Sequence, residues 1–230
     1  MKDKAVFFDR DGVLNVDVDY LYRIEDLQWV DGAREALAYL YQLGYKIFVV
    51  TNQSGVARGY YTVEDMNKLH AHMAAELEQA GAKVEKFYYC PHHKEGKVAE
   101  YANDCDCRKP KPGMILQAFA ENDLDKEACF LIGDSKRDVE AAEAAGIKGY
   151  LFKEGSLLEF VKKINEKSFF NDSKGTNTAS TISAIKMMKN PTVLILGGFD
   201  KGLDYTDLMK EIKKTENIKK VVLLYKICQA

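Results

Sequence analysis

Two carboxylates stand two residues apart at Asp9 and Asp11, directly after the run Ala5-Val6-Phe7-Phe8 and directly before Gly12. Four apolar residues rich in aromatic and β-branched types read as a buried strand of a parallel sheet, which places both carboxylates at a strand's carboxyl end. Ligands of open α/β sheets bind there. A pair of aspartates at this spacing can supply a nucleophile and an acid/base around one metal ion, with the glycine making the tight turn. The same residues also make an ordinary turn, so the choice rests on what the other strand ends supply.

They supply the remaining parts of a phosphoryl-transfer centre. The strand Tyr45–Val50 leads into Thr51-Asn52-Gln53-Ser54-Gly55, where hydroxyl, amide and backbone donors can converge on a phosphate. Arg108-Lys109-Pro110-Lys111-Pro112 offers cations on a segment that its prolines are expected to hold stiff and extended. The strand Cys129–Ile132 ends in Gly133-Asp134-Ser135. Phosphoryl transfer needs a nucleophile, a proton donor for the leaving oxygen, a divalent cation and groups that offset charge on the equatorial oxygens. Asp9 can attack and, with Asp134, hold Mg²⁺; Asp11 can protonate the departing oxygen; Thr51 and Lys109 can offset the phosphoryl charge. Cys90, His92, Cys105 and Cys107 form a Cys₃His set that would fill all four places of a structural zinc ion, with His93 competing for the place of His92. Cys129 and Cys228 read as small apolar or incidental residues.

The elements that must position these groups alternate along the chain. Helices are expected from Asp31-Gly32 to Gly44, from a Thr62 cap to Ala80, from Met114 to Asn122, through Ala145 and from Leu157 to Ile164. Strands are expected at Val84–Tyr89 and Ile147–Phe152 besides the three already named. Strand and helix in alternation predict an α/β fold built on a doubly wound parallel sheet over residues 1–165. From residue 166 to 230 the pattern restarts as a shorter α/β unit: a helix to Met188, a strand Thr192–Leu196, another helix and a strand Val221–Tyr225. At about 60 residues such a unit is marginal by itself. The 230 residues are 47% hydrophobic and 30% charged with net charge −2, which gives no general reason to expect nucleic acid or anionic membrane as a partner. Met-Lys-Asp-Lys leads straight into a strand without an apolar leader, so a cytoplasmic protein is expected, and clustered cysteines in a reducing compartment point to metal rather than disulfides.

The motifs Asp9-Arg10-Asp11-Gly12, Thr51 to Gly59, Cys107-Arg108-Lys109-Pro110 and Gly133-Asp134 resemble the haloacid dehalogenase superfamily of phosphatases. Within it they are most similar to the heptose 1,7-bisphosphate 7-phosphatases, a zinc-loop branch without a large cap that also includes the histidinol-phosphatases. The latter usually continue their Asn-Gln with Asp-Gly-Leu-Gly, whereas this chain has Ser54-Gly55-Val56-Ala57-Arg58-Gly59. The resemblance implies a monomeric enzyme of heptose metabolism acting on a small phosphorylated sugar. It implies Asp9 as nucleophile, Asp11 as general acid/base, and Thr51 and Lys109 as steadying groups. Magnesium would be held by Asp9, the backbone carbonyl of Asp11, and Asp134, and His92 would be the zinc ligand. Arg108, Asp17 to Tyr20 (Asp17 and Tyr20 above all), and Asn52, Gln53 and Ser54 would lie along the substrate's path. Ser135 stands where some members carry a lysine after Gly-Asp. A histidinol-phosphatase, another sugar-phosphate phosphatase, or a non-catalytic zinc module would be the alternatives.

The tail resembles part of the C-terminal domain of UDP-N-acetylmuramoylalanine–D-glutamate ligases through Asn171 to Asn177 and Gly197 to Gly202, and in that family the counterpart of Lys174 helps bind the amino-acid substrate. No Gly-x-x-x-x-Gly-Lys-Ser/Thr occurs in the chain, so ligase activity is not expected of it. A fused remnant, a truncation and a joined reading frame would each explain the likeness.

Overall fold

Ala5–Phe8 forms strand β1, whose four side chains are all buried because the strand lies mid-sheet with helices on both faces. This computed structural model describes residues 2–165, 178–188, 191–197 and 204–224. The chain divides into two compact units, Met1–Glu166 and Lys167–Ala230. In the first, β1 is followed by α1 (Ala33–Gln42), β2 (Lys46–Asn52), α2 (Ser54–Arg58), α3 (Val63–Gln79) and β3 (Val84–Cys90), then α4 (Gly113–Glu121), β4 (Phe130–Gly133), α5 (Lys136–Ala144), β5 (Lys148–Leu151) and α6 (Leu157–Asn165). The five strands are parallel in the order β3-β2-β1-β4-β5. The doubly wound sheet expected from the sequence is therefore present.

Alternate side chains of each strand feed two separate cores. Val6 and Phe8, with Ile47, Val49 and Ile132, pack against Leu37 and Leu40 of α1, Leu69 and Met73 of α3, and Leu157 and Val161 of α6. Ala5 and Phe7, with Phe48, Val50 and Leu131, pack against Met114 and Ile115 of α4 and Ala141 and Ala142 of α5. Full burial of a phenylalanine side chain stabilises by about 1.5–3 kcal/mol, so Phe7 and Phe8 fix the centre of the sheet from both sides. The site at the strand ends inherits that rigidity.

Three local features differ from the sequence reading. β2 continues through Thr51 and Asn52, which pair with Tyr89 and Cys90, so Thr51 is held inside the sheet rather than in the loop after it. Ser54–Arg58 is a helical turn, secured from outside by the amides of Lys97 and Val98 donating to the Ala57 carbonyl. The segment around Arg108–Pro112 is not extended: Lys111 N donates to Arg108 O across a turn with a cis Lys109-Pro110 bond, a geometry open to proline as to few other residues.

The second unit contains α7 (Thr178–Met187), β6 (Thr192–Gly197), α8 (Thr206–Lys214) and β7 (Ile218–Leu224), with β6 and β7 parallel. Ile185, Leu194 and Leu208 form its core. Residues 171–177 and 198–203, which carry most of the ligase-like likeness including Lys174, lie outside the described residues, as do Tyr225 and Cys228. Among the described residues no helix is long and apolar enough to cross a membrane.

Candidate active site

The strand order reverses between β1 and β4, so the chain departs in opposite directions from two adjacent strand ends and leaves a crevice there. Asp9 follows β1 and Asp134 follows β4, and Asp9 N donates to Ile132 O at 2.9 Å. Gly12 closes the turn with φ +79°, and a Cβ at that position would collide with the Asp134 carboxylate. Glycine is required there twice over, by conformation and by space.

Lys109 reaches this crevice from the turn after the cysteine-rich loop. Its Nζ lies 2.8 Å from Asp9 Oδ1 and 2.6 Å from Asp138 Oδ1 and donates to Val50 O at 2.8 Å. Asn52 holds its backbone, with Oδ1 accepting from Lys109 N and Nδ2 donating to Lys109 O. Asn52, which the resemblance places along the substrate's path, thus holds the lysine with its amide oxygen and one amide hydrogen. Burial raises the Asp9 carboxyl from 3.8 to about 7, against the pull of the Lys109 charge. Asp134 is raised as well, by burial and then by Asp138. For Asp138 burial is outweighed by the Lys109 charge and by hydrogen bonds from Lys109 and Ser135, and its carboxyl is held below the usual range.

Asp9, Asp134 and Asp138 bring carboxylate oxygens within 4.8 Å of one another, and Asp9 and Asp138 pair with the one Lys109 ammonium. Asp138 is committed to Lys109 through Oδ1 and to Ser135 through Oδ2. Asp134 Oδ1 is buried with no hydrogen-bond partner. Excess negative charge and an unsatisfied hard oxygen are what a divalent cation such as Mg²⁺ would satisfy. The donor set therefore fits magnesium at Asp9 and Asp134.

Asp11 is gripped from three sides. Arg10 Nε and Nη2 donate to Oδ1 at 3.1 and 2.9 Å, Asn15 Nδ2 donates to Oδ1 at 3.0 Å, and Gln53 Nε2 donates to Oδ2 at 2.9 Å. Burial opposes ionisation, but the Arg10 charge and these bonds outweigh it and hold the carboxyl below its usual range. Gln53 also donates to Thr51 Oγ1 at 2.8 Å, while Tyr61 Oη donates to its Oε1 at 2.6 Å, which fixes the amide's orientation. Gln53 is 1% exposed. The resemblance places it along the substrate path; its side chain orients Asp11 and Thr51.

The other expected substrate residues sit on the rim. Asp17 is exposed and lies close enough to act on the Asp134 charge. Tyr20 is exposed, adopts φ +63° next to Asp19 at φ +54°, and meets the Tyr60 ring edge-on at 4.7 Å. Ser54 opens α2 half-buried, and Arg108 Nη1 donates to His92 O at 3.2 Å. Sequence reading gave no role to Arg10, Tyr61, His70 or Asp138. Only Asp138 left a signal: Ser135-x-x-Asp138 has capping-box spacing, and the box forms at the start of α5.

Cys90, the last residue of β3, converges with His92, Cys105 and Cys107 of the loop that follows. Sγ of Cys105 lies 3.4 Å from that of Cys90 and 3.3 Å from that of Cys107, and His92 Nδ1 lies 3.8 and 3.5 Å from Cys90 and Cys107. A tetrahedral zinc with bonds of about 2.0–2.3 Å has edges of about 3.4–3.8 Å, so the donor set fits that ion. His93, the competitor for the place of His92, lies with Nε2 3.2 Å from Arg58 Nη2.

Comparison with known proteins gives the family. Residues 106–166 match the family model described as HAD-hydrolase-like. A D-glycero-beta-D-manno-heptose-1,7-bisphosphate 7-phosphatase of Pasteurella multocida is 48% identical over 145 residues, which are 63% of this chain and 78% of the relative. A D-glycero-alpha-D-manno-heptose-1,7-bisphosphate 7-phosphatase of Campylobacter jejuni is 42% identical over 178 residues, 75% of this chain and 98% of the relative. The crystal structure of D,D-heptose 1,7-bisphosphate phosphatase from B. bronchiseptica, complexed with magnesium and phosphate, has a TM-score of 0.64 at 29% identity and covers 72% of this chain and 99% of that one. A carboxylate crevice at the sheet's reversal point, on a chain this similar to its relatives over most of their length, makes the assignment: the chain belongs to the HAD-like hydrolase family and is a phosphatase.

Proposed function

We propose that the chain hydrolyses the 7-phosphate of D-glycero-D-manno-heptose 1,7-bisphosphate through an aspartyl-phosphate on Asp9. The observation that carries the chemistry is the placement of Asp9, with one carboxylate oxygen 2.8 Å from Lys109 Nζ, beside the unsatisfied Oδ1 of Asp134. The similarity to heptose-bisphosphate phosphatases supports the substrate. Asp9 attacks phosphorus as the bond to the sugar oxygen breaks, and Asp11 gives that oxygen its proton. Water then gives a proton to Asp11 and attacks the acyl phosphate, which releases inorganic phosphate and restores Asp9. In the free site Asp11 is held ionised by Arg10 and its hydrogen bonds. A phosphoryl dianion placed beside it raises its proton affinity, so that it binds a proton as substrate enters. Thr51 and Lys109 offset charge on the phosphoryl oxygens.

Asp9, Asp134 and the carbonyl of Asp11 would hold Mg²⁺, which when bound offsets charge on both the carboxylates and the phosphoryl group. The Cys₃His cluster would hold a structural zinc that keeps Arg108 and Lys109 in place. We further propose that residues 1–165 are the whole phosphatase domain and that 166–230 is a ligase C-terminal-domain-like fragment without ligase activity. Steady-state rates on both anomers of heptose 1,7-bisphosphate and on histidinol phosphate test the substrate. The highest kcat/KM is expected for a heptose anomer; a higher value for histidinol phosphate would overturn the choice, and no turnover of any phosphomonoester would sink the chemistry.

A further inference from the structure

Arg10 is wholly buried and touches neither Asp9 nor Asp134 through its side chain, yet it holds three parts of the fold at once. Nε and Nη2 donate to Asp11 Oδ1 and Nη2 also to Oδ2, at 2.9–3.1 Å. Nη2 donates to Leu21 O at 2.9 Å, directly after the segment Asp17 to Tyr20 on the rim. Nη1 lies 3.1 Å from Nε2 of His70, on α3. A guanidinium only donates, so this His70 nitrogen is the acceptor and the ring's proton sits on Nδ1. The ring itself is fixed by stacking on Phe87, centroids 4.6 Å apart. Burying a guanidinium is unfavourable unless geometry and pairing are good, and here each arm of the fork has its partner.

We propose that Arg10 is a positioning residue: it fixes the plane and reach of the Asp11 carboxylate and ties the rim segment to it, so that one planar group sets the acid/base and the substrate edge together. A lysine ammonium keeps the charge but cannot span Asp11, Leu21 and His70 at once. This rests on the two-step reading above, in which Asp11 protonates the leaving oxygen. An alkoxide needs that proton, and nitrophenolate leaves without it.

The test compares kcat/KM, which reports through the phosphorylation step, for p-nitrophenyl phosphate and for the alkyl phosphate turned over fastest. Arg10→Lys is expected to lose about 30-fold or more on the alkyl phosphate and under about threefold on the aryl one. In the Asp11→Asn background the same change is expected to lose nothing further. His70→Leu releases only one arm of the fork and is expected to lose about threefold to tenfold with the same alkyl bias; it decides the matter if Arg10→Lys does not fold. Equal losses on both substrates, or effects of Arg10→Lys and Asp11→Asn that simply multiply, would overturn the proposal. Should Asp11→Asn itself show no alkyl bias, the acid role of Asp11 fails. The double-mutant cycle then still supports Arg10 by non-additivity or overturns it by additivity.

Discussion

A site that crowds three carboxylates around one ammonium should be a source of instability that its own chemistry requires, and Asp9→Asn measures how large. Asp9 is 3% exposed and its carboxyl is raised from 3.8 to about 7, first by burial. At about 1.4 kcal/mol per pH unit, keeping it ionised in the folded, magnesium-free protein costs about 4 kcal/mol above neutral pH. Asparagine escapes that cost, in which the attraction of Lys109 is already included, so a gain of at most about 4 kcal/mol at pH 8 is expected, or up to about 8–16 °C in Tm. The sign follows from the raised pKa: the stability linked to Asp9 protonation is complete below 3.8 and lost as pH rises through about 7. Asp134 shifts in the same direction, whereas Asp11 and Asp138 lose stability only as pH falls below 3.8, outside a window of pH 5–8. His70 opposes Asp9 in that window: burial and the Arg10 charge lower it from 6.5 to about 3, so its stability is full above 6.5 and declines as pH falls. The wild-type profile sums both, but the difference between wild type and Asp9→Asn isolates Asp9. Unfolding in magnesium-free buffer, followed by fluorescence of Trp29, the chain's one tryptophan, reports the first unit alone. The variant should be the more stable at pH 8, its advantage should shrink toward pH 5, and added magnesium should stabilise wild type more. An advantage that is absent at pH 8, or equal at both ends, would refute the burial reasoning.

The zinc reading predicts one zinc per chain by elemental analysis and its loss in Cys105→Ser, accompanied by lower phosphatase activity, because the same loop delivers Lys109 to Asp9. Protein with no stoichiometric zinc would contradict it. A chain ending at Asn165 is expected to keep phosphatase activity and to be at least as soluble as the whole. The doubly wound sheet and both of its cores lie before that point, while Val193 and Ile195 beyond it are 55% and 57% exposed. Loss of activity on that truncation would make the two units one cooperative body.

Strands buried on both faces announce themselves in sequence as unbroken apolar runs, which is why Ala5–Phe8 and the run into Gly133 were legible and the sheet with them. Helices with one apolar stripe and a cap were legible for the same kind of reason, as at Thr62, whose capping box with Asp65 forms at the start of α3. Ser54–Arg58 was not. A five-residue helix has no periodicity to read, and this one depends on distant partners: Lys97 and Val98 bond its Ala57 carbonyl, and the Tyr61 ring fills the space where a Gly55 side chain would be. The turn at Arg108–Lys111 escaped because proline restricts φ without stating which peptide isomer precedes it.

The site divides along the same line. Asp9, Asp11 and Asp134 could be singled out because more than one strand end of the same sheet carries a carboxylate, although each by itself is an ordinary turn residue. The groups that aim them could not, since nothing in a one-dimensional pattern says that Arg10 turns away from the crevice to meet Leu21 and His70, or that Tyr61 sets the face of the Gln53 amide. The resemblance places Asn52 and Gln53 along the substrate's path, and the structure shows what a sequence does not, that their side chains hold Lys109, Asp11 and Thr51. Physics requires such a second layer. Reacting carboxylates gain strength from a low-dielectric site only if they are held at fixed positions there, and each buried polar group that holds them must itself be paired. Gln53 meets that condition, with both amide hydrogens and its oxygen taken, and Asn52 holds Lys109 with its oxygen and one amide hydrogen, so changing either should alter catalysis through Lys109, Asp11 or Thr51.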